Sequence, residues 1–205
     1  TFHLQAVRRL LETCSVFIFT FGLTECWVHR ATQTVFPTAP GVFAGDYDPE
    51  HYAFHNLSFA EVVQDFLRFR AFLQSFNPAC RFIVTVSPVP LTATASGHHV
   101  LVATAHSKAI LRAAAGELVA QCPDVDYFPS YEIITNTAAR GSFYENNLRD
   151  IRRVGVESAM AAFFAQHGQA VGDLSSGPAV EAADGDHDPA CEDAFLEAFA
   201  GKAGP

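Results

Sequence analysis

Val16-Phe17-Ile18-Phe19-Thr20-Phe21-Gly22 is a run of β-branched and aromatic residues, and it is apolar on both faces of the strand that it predicts. Such a run is typical of a central strand in a parallel sheet, because helices cover both faces of that sheet. Residues 81–86 have the same character and predict a second buried strand, and residues 125–128 predict a short third strand. The fold is therefore expected to contain a parallel sheet.

Helical patterns alternate with these strands. Apolar side chains recur at steps of three and four residues in four segments, which are residues 4–14, 59–76, 107–121 and 153–167. Ser58 and Glu61 have the spacing of a capping box at the start of the second helix, and Asn77-Pro78 ends that helix. In the last helix, four side chains are expected to face inward, namely Val156, Met160, Phe163 and Phe164.

The alternation of strands and helices predicts the α/β class, as a three-layer α/β/α sandwich around a parallel sheet. Three strands are few for such a sheet, and both of its edges need cover. We therefore expect one or two further strands upstream of Thr1, which makes the predicted domain incomplete at its N-terminus.

The predicted domain occupies residues 1–168. Within it, residues 30–57 contain several prolines and glycines and predict an irregular but ordered loop. Beyond it, Gly, Ala, Ser, Asp and Glu dominate residues 169–189, which predicts a flexible linker. Residues 190–205 form a tail, in which residues 191–199 have the pattern of a short docking helix.

Composition argues against several classes of protein. The chain has a formal net charge of -9 at pH 7, whereas duplex binding needs clustered Lys and Arg, so no nucleic-acid partner is expected. The longest apolar run, residues 16–23, is far shorter than the roughly 20 residues that span a bilayer, so no membrane span is expected. The five cysteines are odd in number and form no CxxC pair, which argues against a disulfide framework or a metal site, and no cofactor is predicted. Reduced cysteines in a core indicate a cytoplasmic protein.

Ligands of open α/β sheets bind outside the carboxyl ends of the strands. That rule selects three places, which are Gly22-Leu23-Thr24-Glu25, Ser87-Pro88-Val89-Pro90 and residues 127–150. In the first place, a strand that ends in Gly22 and is followed by the polar Thr24 and Glu25 puts amides and donors at the rim of the sheet. Such donors can stabilise an oxyanion. The alternative is a plain turn at the strand exit, in which Thr24 or Glu25 caps the next element.

Several stretches of the sequence resemble one bacterial family. They are Phe19-Thr20-Phe21-Gly22-Leu23-Thr24-Glu25, Val35-Phe36-Pro37, Phe54-His55-Asn56, Thr85-Val86-Ser87-Pro88-Val89-Pro90-Leu91-Thr92-Ala93-Thr94-Ala95-Ser96-Gly97, and Tyr127-Phe128-Pro129-Ser130-Tyr131-Glu132-Ile133. Over about residues 1–167 the chain resembles a proteobacterial-type member of the GSCFA family, a relative of the SGNH (GDSL-type) hydrolases. The resemblance implies a flavodoxin-like SGNH fold and ester chemistry.

In SGNH enzymes a Ser attacks an acyl carbonyl, a His positioned by an Asp takes the proton, and Ser, Gly and Asn groups hold the oxyanion. The resemblance implies that Gly22 and Thr24 lie in the block that carries the oxyanion Asn, with Thr24 at the Asn position. Asn147 and Asp150 lie where the Asp and His are expected, and neither can perform the usual role. The Gly-Ser-Cys-Phe-Ala segment that supplies the Ser is absent from these 205 residues, so the nucleophile is expected upstream of Thr1.

The general base must then be a different group. His99 and His98 lie on the loop that leaves the second strand, and His55 lies in the loop at residues 30–57. Asp150 is a further candidate, provided that burial raises its pKa. His106 is expected to flank the helix at residues 107–121. Each histidine can also be interpreted as a loop or surface residue.

Ser87 and a basic cluster complete the candidates. Ser87 leaves a buried strand before a proline, which suits a turn residue or a substrate contact. As a nucleophile it would need the Gly-x-Ser-x-Gly elbow, which is missing. Arg149, Arg152 and Arg153 form either a solvated face or a contact for an anionic substrate such as an acidic glycan.

The resemblance therefore implies a serine ester hydrolase or acyltransferase of SGNH type in the complete protein. The resemblance suggests O-acyl groups of a surface polysaccharide as the substrate, so the expected partners are an acyl ester or a glycan. The chain alone is expected to be inactive, because it lacks the nucleophile. The alternative is a non-catalytic binding module that retains the fold, which the missing Asp and His favour.

Overall fold

The computed structural model describes residues 2–42 and 45–166, and the chain folds into two compact units. The parallel-sheet unit comprises the chain up to Thr24 together with Leu57–Phe163. The antiparallel-sheet unit includes Glu25–Asn56. The predicted linker at residues 169–189 and the tail at residues 190–205 lie outside the described residues.

Six strands and five α-helices make up the described chain. In chain order they are α1 (Phe2–Thr13), β1 (Val16–Phe21), β2 (Glu25–His29), β3 (Val35–Phe36), β4 (Tyr52–Asn56), α2 (Phe59–Gln74), β5 (Arg81–Val86), α3 (Val100–Gln121), β6 (Val125–Tyr127), α4 (Ser130–Thr135) and α5 (Arg153–Gln166). A short 3₁₀ helix, Thr137–Ala139, follows α4.

The parallel sheet has the order β1-β5-β6, which confirms the predicted α/β class and the three predicted strands. Its register pairs Val16 with Arg81 and Phe21 with Val86, so the carboxyl ends of β1 and β5 are level. β5 is the middle strand and is buried at every position after Arg81. The parallel arrangement places the ends of the three strands along one rim.

The position of β1 differs from the prediction of a central, doubly covered strand. Within the described chain β1 is an edge strand, and Val16 and Ile18 are 46% and 54% exposed. Its opposite face carries Phe17, Phe19 and Phe21, which pack against aromatic rings of α2 and β5. Because both faces of β1 are apolar in sequence, the sequence alone does not predict which face is buried by the described residues.

The core of the parallel-sheet unit is a layer of aromatic and aliphatic side chains between the sheet and helices α2 and α3. Phe82 of β5 is fully buried and its ring lies 5.8 Å from the ring of Phe66 in α2. Leu118 of α3 and Leu73 of α2 are fully buried in the same cluster. Burial of each such side chain contributes about 1.5–3 kcal/mol, so this layer stabilises the parallel-sheet unit substantially.

Helix α2 begins as its sequence predicts, and two of its side chains bind a carboxylate outside the helix. Ser58 and Glu61 form the predicted capping box, with each side chain bonded to the backbone of the other. Towards its other end, Arg70 donates from Nε and from a terminal nitrogen to the two carboxylate oxygens of Asp124, at 2.8 and 2.5 Å. Gln74 donates to the same carboxylate at 2.8 Å. The Arg70 guanidinium lowers the pKa of Asp124 from its ordinary value, so α2 is tied to the residue before β6 by a charged pair.

Two predicted helices need correction. α3 begins at Val100 rather than at residue 107, because His99 caps it and the β-branched start is helical in its tertiary context. His106 therefore lies within α3 and does not flank it. In α5, Val156 and Met160 are 50% and 38% exposed, so the prediction that they face inward is wrong.

The antiparallel-sheet unit contains two short strands, β3 and β4, within residues 30–57, where an irregular ordered loop is predicted. The described residues between these strands, 37–42 and 45–51, form neither helix nor strand, as that prediction expects. The sheet of this unit is three-stranded and has the order β3-β2-β4. Trp27 of β2 packs its ring against Tyr47 and Phe54, with centroid distances of 5.1 and 5.5 Å. The short strands, of two and five residues, and the interspersed prolines concealed the strand pattern in the sequence.

Cys26, Cys80 and Cys122 are buried free thiols, as predicted for reduced core cysteines, and burial raises the pKa of Cys80 to about 11. Within residues 2–42 and 45–166, no helix combines the length and the apolar character needed to cross a membrane.

Candidate functional site

The rim of the parallel sheet is formed by the residues that come directly after β1, β5 and β6. The amide of Ser87 donates to the carbonyl of Phe21 at 2.8 Å, and the amide of Phe128 donates to the carbonyl of Val84 at 2.9 Å. These bonds extend the ladder beyond the strands and hold the three exits side by side. The rim is thus a continuous edge of the kind at which α/β proteins bind ligands.

At the exit of β1 the backbone is open on one side and polar on the other. Gly22 is exposed, and a Cβ built on it would meet nothing within 4 Å. Two residues later, the amide of Thr24 donates to the hydroxyl of Ser107 at 2.9 Å. The Thr24 side chain is fully buried, and its Oγ1 has no hydrogen-bond partner among the described residues. The Thr24 hydroxyl, which was predicted as a donor, therefore lies at the rim. It is buried and makes no hydrogen bond to the described residues.

Lys108 lies beneath this exit. Its Nζ donates to the carbonyl of Gly22 at 2.9 Å, and the residue is only 3% exposed. Burial lowers the pKa of Lys108 from 10.5 to about 8, because the buried ammonium loses hydration. The sequence carries a signal for this residue, since Lys108 precedes Leu111, Ala115 and Leu118 at helical steps and so falls on the buried stripe of α3. The prediction of candidate site residues missed it.

The exits of β5 and β6 are held by hydroxyl groups. The Ser87 Oγ accepts from the amide of Val89 at 3.2 Å, which is the bond of a turn residue. The Ser130 hydroxyl donates to the carbonyl of Val86 at 3.0 Å and lies 2.5 Å from the hydroxyl of Thr85. The Tyr144 hydroxyl donates to the carbonyl of Pro88 at 3.0 Å, and burial raises the pKa of Tyr144. Tyr144 brings the segment after α4 to the exit of β5.

Asn147 and Asp150 form a local turn. The Asn147 amide donates to the Asp150 carboxylate at 2.7 Å, and its carbonyl oxygen accepts from the amides of Arg149 and Asp150, each at 3.0 Å. Asn147 and Asp150 are both exposed. The condition set for Asp150 as a base, namely burial, is not met in the described residues.

The candidate histidines are spread over different elements. His99 is the N-cap of α3, where its Nδ1 accepts from the amide of Leu101 at 3.3 Å, and it is exposed together with His98. His55 lies in β4 opposite Cys26, and Glu25 is the first residue of β2, so both belong to the antiparallel-sheet unit. The expectation that His55 lies in an irregular loop is therefore wrong.

The antiparallel-sheet unit also holds a histidine with a carboxylate partner, which the candidate residues did not include. The Nδ1 of His51 lies 2.7 Å from an Asp48 carboxylate oxygen, and both side chains are exposed. Hydrogen bonds from the Glu50 backbone and the His51 ring lower the pKa of Asp48. The pair has the arrangement in which a carboxylate orients an imidazole.

An apolar cavity lies beside the exit of β1, within the parallel-sheet unit. Its volume is about 360 Å³, and it extends along β1 from Phe19 to Leu23. Phe66 and Phe69 of α2 form the facing wall, with Asp65 as its charged member. The cavity is thus mostly apolar, and the backbone of Gly22 forms part of its lining.

Comparison with known proteins identifies a family. The model of a protein family, described as the GSCFA family, matches residues 1–163. No curated protein and no solved structure shows significant similarity to the chain.

Proposed function

Because the chain belongs to the GSCFA family, we propose that it forms the substrate-binding part of a serine ester hydrolase or acyltransferase. The observation that carries the proposal is the apolar cavity of about 360 Å³ that opens beside Gly22. Ligand sites are typically mostly apolar concavities with a few polar groups at one end. In this proposal the cavity holds the acyl group, and the ester carbonyl lies at the exit of β1.

The chemistry of the rim supports this orientation. An ester carbonyl becomes an oxyanion during acyl transfer, and donors at the rim would stabilise that charge. Gly22 lets a substrate approach the backbone without a side chain in the way. Glu25 and Ser87, the other residues predicted for substrate contact, stay proposals for that role.

The nucleophilic serine is proposed to lie upstream of Thr1. Within the described chain the serine hydroxyls at the rim already have partners, since Ser87 closes a turn and Ser130 bonds Val86 and Thr85. This favours a nucleophile supplied by another segment. The base is proposed to be His99 or His55, with Asp150 as the third candidate and Asn147 as a rim contact, and the acyl group is proposed to be carried by a surface polysaccharide.

The proposal is tested by labelling the complete protein with a fluorophosphonate and mapping the labelled residue by mass spectrometry. A label on a serine upstream of Thr1 supports the proposal. A label on Ser87 would place the nucleophile within this chain and contradict the assignment. Alanine substitutions at His99, His55 and Asp150 then identify the base, because loss of a general base lowers the rate by roughly 10² or more.

The cavity is tested separately with Leu23→Trp, which places a larger side chain at a residue that lines the cavity. We expect this variant to raise KM for esters with long acyl chains and to leave KM for acetyl esters nearly unchanged. Val89→Trp is the matched control, because Val89 and Leu23 are each 38% exposed and Val89 does not line the cavity. Equal changes for both variants would argue against an acyl-binding cavity.

The alternative function is a non-catalytic binding module. The observation that favours it is the exposed turn formed by Asn147 and Asp150, which hydrogen bond to each other at 2.7 Å in the segment where an acid and a base are expected. Failure of the labelling experiment, beside a hydrolase that reacts normally, together with retained ligand binding at the cavity would favour this module.

A further inference from the structure

Lys108 carries a buried positive charge without a carboxylate partner. The residue is 3% exposed, and among residues 2–42 and 45–166 no acidic side chain forms an ion pair with its ammonium. Burial of a charged group costs several kcal/mol unless it is paired and hydrogen bonded. A buried ammonium with so few protein partners is a position at which an anionic group would be stabilised.

The hydrogen bonds of the ammonium are incomplete. A lysine ammonium has three N–H donors, and the described residues provide one acceptor, the carbonyl of Gly22 at 2.9 Å. Gly22 is exposed and faces open space. The ammonium therefore lies one hydrogen bond away from a stretch of backbone that a ligand can reach.

A second unused group lies at the same strand exit. Oγ1 of Thr24 is fully buried and has no partner among the described residues. Its position relative to α3 is fixed, because the amide of Thr24 donates to Ser107, the neighbour of Lys108 in the helix. A buried hydroxyl without a partner costs about 1–3 kcal/mol, so this observation independently indicates a missing acceptor.

We propose that Lys108 and Thr24 bind an anionic oxygen of a ligand at the exit of β1. An ammonium and a hydroxyl both donate, so the group that completes them must accept, and the positive charge selects an anion. The chemistry common to the candidates is an anionic oxygen, carried by a carboxylate or by a phosphate. The site goes beyond the proposed ester chemistry and does not depend on it, since anions can bind whether or not a nucleophile is present.

A purely structural role for Lys108 would consist of tying α3 to β1 through the Gly22 carbonyl. Thermal denaturation of the complete chain separates the two roles, with sodium acetate, sodium phosphate and sodium chloride compared at equal ionic strength and at pH 7. The ammonium is charged under these conditions, because the pKa of Lys108 is about 8. We expect acetate or phosphate to raise Tm by at least about 2 °C more than chloride does.

Three variants make the test specific. Lys108→Met should abolish the excess stabilisation, and Thr24→Val, which keeps the shape of the buried side chain, should weaken it by several-fold. Arg8→Met removes the same charge from an 80% exposed side chain of α1 and should keep the full response. A response to acetate alone assigns a carboxylate ligand, and a response to phosphate alone assigns a phosphate.

Equal Tm values in acetate, phosphate and chloride for the wild type would overturn the proposal. An unchanged response in both Lys108→Met and Thr24→Val would also overturn it, even if the wild type responds. If Lys108→Met does not fold, Thr24→Val and the wild type still decide the result. Fluorophosphonate labelling reports on the ester chemistry alone, so its failure leaves the anion result standing, and the reverse also holds.

Discussion

Substitution of Lys108 by methionine is expected to change how the stability of the chain depends on pH. Burial lowers the pKa of Lys108 from 10.5 to about 8 in the folded chain, and an unfolded lysine keeps its ordinary value. Between these two values the unfolded chain binds more protons than the folded chain at this site. The free energy of unfolding of the wild type therefore rises with pH in this window, and the full penalty of the buried charge is present below about pH 8.

The size of this effect follows from the two pKa values. A difference between 10.5 and about 8 corresponds to roughly 3 kcal/mol between the charged and the neutral side chain. Integration from neutral pH to about pH 9.5 recovers about 2 kcal/mol of this penalty. Lys108→Met removes the titrating group, so the variant should lack this gain and should be at least as stable as the wild type at neutral pH.

Urea denaturation of both proteins at several pH values measures the effect, with circular dichroism as the readout. The difference in unfolding free energy between wild type and Lys108→Met cancels the titration of groups common to both. Arg8→Met is the control, since its side chain is 80% exposed and should show no such gain relative to the wild type. Parallel curves for wild type and Lys108→Met from neutral pH to about pH 9.5 would refute the argument that Lys108 is buried and charged.

Three further predictions concern stability, measured by urea denaturation at neutral pH. Asp124→Asn should lower the free energy of unfolding by about 2 kcal/mol, because charged and polar donors of α2 bind the carboxylate. Asp126→Asn, which removes an exposed ion pair, should lower it by less than about 1 kcal/mol. Equal losses would contradict this prediction. Phe82→Ala should lower the free energy of unfolding by about 3–5 kcal/mol, because Phe82 is fully buried. Phe72→Ala should lower it by less than about 1 kcal/mol, because Phe72 is 65% exposed. Similar losses would show that the aromatic layer is misassigned. Ser58→Ala should lose about 1 kcal/mol through the helix cap, and no loss would mean that the capping box contributes nothing.

The sequence predicted the elements whose pattern depends on their own residues. β5 was predicted as a buried strand and is buried on both faces, and the capping box at Ser58 is formed as its spacing indicates. The exposure of Val16 and Ile18 was not predictable, because it depends on which neighbours cover β1. The start of α3 at Val100 was also missed, since a β-branched residue next to a loop has weak helical preference until tertiary packing decides.

In the candidate site too, the sequence predicts features that depend on local residues and misses features that depend on contacts between distant segments. Gly22 was predicted as a strand exit, and it directly follows β1, with nothing within 4 Å of a Cβ built on it. Lys108 was overlooked although it falls on the apolar stripe of α3, where a charged residue conflicts with the pattern. The loss of hydration at Lys108 and the unused hydroxyl of Thr24 arise from contacts between segments distant in sequence. No local pattern reports such contacts.

The hydrogen bond from the amide of Leu57 to the carbonyl of Thr24, at 2.9 Å, joins the two points at which the chain leaves and re-enters the parallel-sheet unit. The intervening residues 25–56 thus form an insertion whose ends are already closed, in the manner of a domain grafted into a surface loop. A flexible linker of a few residues could bridge the same gap at little entropic cost, since the cost of closing a loop changes only slowly with its length. The parallel-sheet unit is accordingly a module from which this insertion could be excised or exchanged, with the exit of β1 left in place.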